Sequence, residues 1–115
     1  MAIDVTPSVP VETLTSFDRQ TRMSARVQRP TTTRELENLP PDCPRIARGA
    51  GVSYVAASFD REAVSQSVQG LDRVLDFDVA SGRLRVEAGI SIAAVQRIAL
   101  RHGWYLPIAP GHARA

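Results

Sequence analysis

The spacing of apolar and polar positions along the 115-residue chain changes period several times, and each change marks an element. Ala25 and Val27 alternate with polar neighbours, which predicts a short strand over residues 24–28 closed by Pro30. Thr31 to Thr33 then offer N-caps for a helix over residues 33–38. Leu39 to Pro44 holds three prolines and reads as a loop. Ile46 and Ala47 form a brief apolar pair that runs into Arg48, Gly49, Ala50 and Gly51. Residues 52–60 show no clear period. Ala63 to Val68 alternates again and predicts a further strand, broken at Gly70.

Two alternating runs follow, Arg73 to Asp78 and Arg83 to Glu87, with Val79 to Gly82 between them. Asp78 suits a turn cap and Gly82 a positive φ, so this is a β-hairpin. Ser91 then opens the longest helical pattern, with Ile92, Val95, Ile98, Ala99 and His102 on one face and Arg97 and Arg101 opposite, closed by Gly103. Trp104 to Leu106 reads as a last extended piece before Pro107 and the turn Pro110-Gly111. The expected architecture is α+β: a small mixed sheet with two main helices. Residues 1–16, with Pro7 and Pro10, are expected to be a flexible leader, and residues 17–115 the domain.

Composition narrows the function classes. Hydrophobic residues make up 43% and charged residues 23%, which fits a globular chain and excludes a coiled coil or a disordered tail. All 14 basic residues are arginine and they are interspersed with 12 acids. A scattered net charge of +2 without an aromatic platform does not point to a nucleic acid. No apolar run approaches the about 20 residues of a membrane span. The N-terminus lacks the basic start and apolar core of a secretory signal, so a soluble cytoplasmic protein is expected.

Candidate chemistry centres on the two glycines. Gly49 and Gly51, placed after a strand, permit close backbone approach, and successive N–H groups form an anion nest suited to a pyrophosphate. Ser53 and Tyr54 add hydroxyls. The same pattern also serves a plain strand-to-loop turn, and it lacks the third glycine and following helix of a Rossmann site. His102, on an apolar helix face, reads as a packed or capping side chain. Asp72, Asp76 and Asp78 read as solvated hairpin residues. Cys43, between prolines, is expected in a surface loop; as the lone cysteine it leaves no internal disulfide. Cys43, His102 and His112 follow no metal-ligand spacing, and no catalytic constellation emerges.

The ordered motifs resemble a known family. Leu14 to Phe17, Arg26 to Pro30, Ile46 to Tyr54, Gly70 to Asp78, Ser81 to Arg83, Val86 to Gly89, His102 to Pro107 and Pro110-Gly111 resemble, in order and spacing, the start of the FAD-binding domain of the PCMH-type (vanillyl-alcohol-oxidase-like) flavoproteins. The similarity is greatest to the branch holding sugar, alditol and aldonolactone oxidases and decaprenylphosphoryl-β-D-ribose oxidase.

The resemblance implies an FAD cofactor, a sugar-like or polyol substrate and an oxidoreductase acting on CH–OH groups. It implies cofactor contacts at Arg48, Gly49, Ala50, Gly51, Val52, Ser53, Tyr54, Pro110 and Gly111. Three places depart from the pattern. Val52 stands for an arginine, Val55 and Ala56 for Gly-Asp, and His112 for a threonine. The family continues with a T-V-G-G-A stretch and a substrate domain. The chain is therefore expected to be the N-terminal part of an incomplete FAD domain, with weak flavin binding on its own and an apolar face partly uncovered. The alternative is a non-catalytic remnant or small binding module. No catalytic residue carries over.

Overall fold

A computed structural model describes residues 9–108. In chain order it contains β1 (Val11–Thr15), β2 (Arg22–Gln28), a 3-10 helix (Thr33–Asn38), β3 (Arg45–Arg48), β4 (Val64–Ser67), β5 (Val74–Asp78), β6 (Arg83–Val86) and α1 (Ile92–Arg101). Four strands form a mixed sheet in the order β1-β2-β4-β3, and β5 and β6 form a separate two-stranded hairpin. The expected α+β architecture with a small mixed sheet is present. One of its two helices is a single short 3-10 segment.

β1 corrects the leader. It pairs antiparallel with β2, Leu14 opposite Met23 and Glu12 opposite Ala25, and it buries Leu14. Five residues carrying one inward side chain are too short a pattern to stand out beside Pro7 and Pro10. The remaining leader residues, 1–8, lie outside the described residues.

β4 departs from half-buried alternation because it lies parallel between β2 and β3. A central strand covered on both faces hides every side chain. Val64, Ser65, Gln66 and Ser67 are all buried. Register places Val27 beside Ser65 on one face and Gln28 beside Gln66 on the other. Leu14, Ala25, Val27 and Phe59 form the first small core, with Met23 and Ala56 against it. Val9, Leu39, Cys43 and Val64 form the second. Val27 and Val64 are fully buried, each contributing about 1.5–3 kcal/mol.

Among the described residues no buried side-chain polar atom lacks a hydrogen-bond partner. Ser65 Oγ donates to Ser58 O at 2.9 Å. Gln66 Nε2 donates to Gln28 Oε1 at 2.8 Å and to Leu36 O at 3.3 Å, and Gln28 Nε2 donates to Glu35 O at 2.9 Å. These glutamines hold the 3-10 helix on the sheet. The helix stays short because Leu39, extended at φ −92° and ψ 146°, precedes Pro40 and cannot continue it. Arg45 then fastens the proline loop through Nη2 to Pro40 O at 2.6 Å. That loop folds inward, so Cys43 is buried, not at the surface.

The hairpin forms where alternation places it. Asp78 Oδ1 accepts from Ala80 N at 3.1 Å and Ser81 N at 3.4 Å, and Gly82 has φ 74°. Asp76 faces Arg85 and Asp78 faces Arg83 across the ladder. Among the described residues no group of three or more His, Cys, Asp or Glu is placed to hold a metal.

α1 has the expected caps. Ser91 Oγ accepts from Ala94 N at 3.2 Å. At the other end Trp104 N donates to Ala99 O at 2.9 Å and Gly103 N to Leu100 O at 3.3 Å, a Schellman closure about Gly103 at φ 82°. His102 closes the helix with Nδ1 3.0 Å from Ile98 O and meets Phe77 edge-on at 5.0 Å between ring centres. Trp104 to Leu106 joins no sheet. Its groups are taken locally, Leu106 N donating to Gln96 Oε1 at 2.9 Å.

Candidate functional site

The glycine loop starts where two parallel strands end. Arg48, last in β3, stands opposite Ser67, last in β4, and Val68 N donates to Arg48 O at 2.9 Å. Loops beyond the carboxyl ends of parallel strands are where sheets of this kind receive ligands. A cavity of about 490 Å³ opens there. Gly49 and Ala50 line it from beyond β3, Gln69 and Asp72 from beyond β4, Val74 from β5, Ala88 to Ser91 from the connection into α1, and Ala94, Arg97 and Ile98 from α1 itself.

The glycines have distinct physical reasons. Gly51 needs its positive φ of 73°, and a Cβ there would stand 2.5 Å from Arg48 Nη2. A Cβ at Gly89 would fall 1.6 Å from Val68 O, while its amide donates to Leu71 O at 2.8 Å. Gly49 differs: a Cβ there meets no protein atom within 4 Å, and its φ is not positive. Protein packing therefore does not require glycine at position 49. A side chain there would occupy open space beside the cavity.

The sequence-implied residues divide. Gly49 and Ala50 line the cavity; Arg48, Gly51, Val52, Ser53 and Tyr54 do not. Ser53 O accepts from Phe17 N at 3.1 Å and Tyr54 O from Asp18 N at 3.2 Å, and the Tyr54 ring meets Phe17 at 5.6 Å. The turn between β1 and β2 thus takes up two loop carbonyls. Among the described residues, no main-chain hydrogen bond is donated by Gly49 to Tyr54. The Arg48 guanidinium turns back under the loop, where burial, and then the charge of Arg29, holds its pKa below the ordinary arginine range. Pro110, Gly111 and His112 lie outside the described residues.

Gln69, Asp72, Ala88, Gly89, Ser91 and Arg97 are cavity residues that sequence reasoning did not select. The V-x-A-G motif and the Ser91 cap were visible signals. Only folding shows that they face the glycine loop.

The arrangement is a concave site with the unengaged main-chain amides of Gly49 and Ala50 on one wall and a capped helix N-terminus on another, a setting for a phosphate-bearing ligand. A family model described as FAD binding domain matches residues 24–115. The chain belongs to the FAD-binding domain family. Its cofactor is FAD. The residues present fit that cofactor on structural grounds, since the open approach at Gly49 and the unengaged amides suit a pyrophosphate.

Over 66 residues this FAD-binding chain is 32% identical to decaprenylphosphoryl-beta-D-ribose oxidase of Mycolicibacterium smegmatis, a match covering 57% of this chain and 14% of the relative. Among the described residues no helix is long and apolar enough to cross a membrane.

Proposed function

We propose that this chain supplies the pyrophosphate-facing part of the FAD site of an oxidoreductase that oxidises an alcohol group of a sugar-like substrate. The observation that carries the cofactor reading is the cavity at the carboxyl ends of β3 and β4, with glycine at position 49 where the fold itself does not demand it. The main-chain amides of Gly49 and Ala50, on the cavity wall, bind the pyrophosphate, and Gly51 to Ser53 continue the loop behind them. Ser91 and the first turn of α1 close the opposite wall and add a favourable dipole. Bound FAD supplies hydride acceptance; the residues of this chain supply binding and orientation. The substrate class rests on the similarity to decaprenylphosphoryl-beta-D-ribose oxidase, an enzyme named for a phosphoryl ribose derivative.

Titration of the 115-residue chain with FAD, followed by amide chemical shifts, tests the cofactor site. Shifts concentrated at residues 49–53 and 88–91, and reduced by Gly49→Val, are expected. Shifts spread evenly, or unaffected by Gly49→Val, would overturn the assignment. The substrate class is tested by anaerobic mixing of the gene product, loaded with FAD, with polyols and phosphorylated sugars. Bleaching of the oxidised flavin band by these and not by amines or phenols is the expected result.

A further inference from the structure

Arg48 joins the sheet to the glycine loop, and its side chain points back into the fold. Nη1 donates to Ser58 Oγ at 2.7 Å. The guanidinium carbon lies 5.6 Å from the centre of the Phe59 ring. Nη2 sits where a Cβ on Gly51 would stand 2.5 Å away. Both outer partners are anchored. Phe59 is 3% exposed and belongs to the core under β1 and β2, and the Ser58 carbonyl accepts from Ser65 on the central strand. The guanidinium therefore spans from fixed core to the one residue of the loop with positive φ.

We propose, building on the reading that this loop receives the FAD pyrophosphate, that Arg48 is a positioning residue that acts through Gly51 and is not a phosphate ligand. One nitrogen is engaged by Ser58, one face by Phe59, and the remaining edge fills the space beneath the turn. Arg48 is also absent from the cavity wall, while Gly49 and Ala50 are part of it. The planar guanidinium makes these contacts together; a lysine ammonium has neither the flat face nor the second nitrogen. Removing it leaves Gly51 without its support, and the loop amides lose their common orientation.

The test has a readout in the protein without cofactor. In Arg48→Lys and Arg48→Met, the backbone NMR order parameters of residues 49–53 are expected to fall from the rigid range toward about 0.6 or below. Ser58→Ala gives a smaller fall at the same amides. FAD affinity falls about equally in the Lys and Met variants, and its dependence on ionic strength stays that of the parent. Unchanged order parameters at residues 49–53 overturn the proposal. So does an Arg48→Lys variant with parental FAD affinity beside an Arg48→Met variant with a flattened salt dependence, which would mark a phosphate ligand. Should Arg48→Met fail to fold, Arg48→Lys and Ser58→Ala decide by the same criterion. A parent chain that shows no FAD shifts at all would refute the cofactor assignment instead, leaving the order parameters to judge Arg48.

Discussion

Trp104 Nε1 donates to the carbonyl of Val79 at 2.7 Å, tying the end of α1 to the turn of the β5–β6 hairpin. The indole also covers Gly82, where a Cβ would fall 2.8 Å from the ring. Together with the Phe77–His102 contact this is what seats the helix on a hairpin that shares no ladder with the main sheet. The cavity wall from Ala88 to Ser91 lies on the connection between them.

Trp104→Phe is expected to lower stability by about 1 kcal/mol through the lost hydrogen bond, and Trp104→Ala by about 2 kcal/mol as the ring contact goes too. Urea midpoints measure both. Amide exchange in residues 79–86 should accelerate in each, more so in Trp104→Ala, while β2 and β4 stay protected.

The glycines should separate by mechanism. Gly89→Ala puts a Cβ into the Val68 carbonyl and is expected to cost about 3 kcal/mol or more, since backbone must move. Gly51→Ala strains a positive φ and displaces the Arg48 guanidinium, costing about 1–2 kcal/mol. Gly49→Ala should leave stability within about 0.5 kcal/mol of the parent while weakening FAD. Thermal unfolding of the three variants checks the order.

The Glu12–Arg29 ion pair links β1 to the residue following β2, with Arg29 Nη2 3.0 Å from Glu12 Oε1. Its hydrogen bond with Arg29 holds the Glu12 carboxyl below the ordinary carboxylate range, against a small opposing cost of burial. A folded-state pKa depressed in this way adds stability that is present above the unfolded value and is lost as pH falls through the folded one. The pair is solvent-exposed, so the contribution is on the order of 0.5 kcal/mol. Urea midpoints from neutral pH down into the acid range should show a slope that Glu12→Gln diminishes, and 1 M salt should shrink the difference at neutral pH.

Much of the fold was legible because it is local. A cap at Ser91 three residues from Ala94, a glycine at 103 and a turn from Asp78 to Gly82 are decided within a few residues. The period-2 runs of β5 and β6 needed only each other. β1 was not legible, since its meaning depends on β2 partners seven or more residues away. Neither was the burial of Cys43 or of all four β4 residues, which follows from what covers them.

For the site, the sequence by itself determined that a glycine pair follows a strand, and the ordered motifs pointed to FAD. Tertiary structure decided which of those residues meet a ligand cavity. Gly49 and Ala50 do, because the parallel ends of β3 and β4 open beside the start of α1. Arg48 does not, because its guanidinium is held by Ser58 and Phe59, contacts ten and eleven residues along the chain that no local pattern encodes. A glycine's need is equally non-local: Gly51 answers to its own φ and to Arg48, Gly89 to the Val68 carbonyl, and Gly49 to open space.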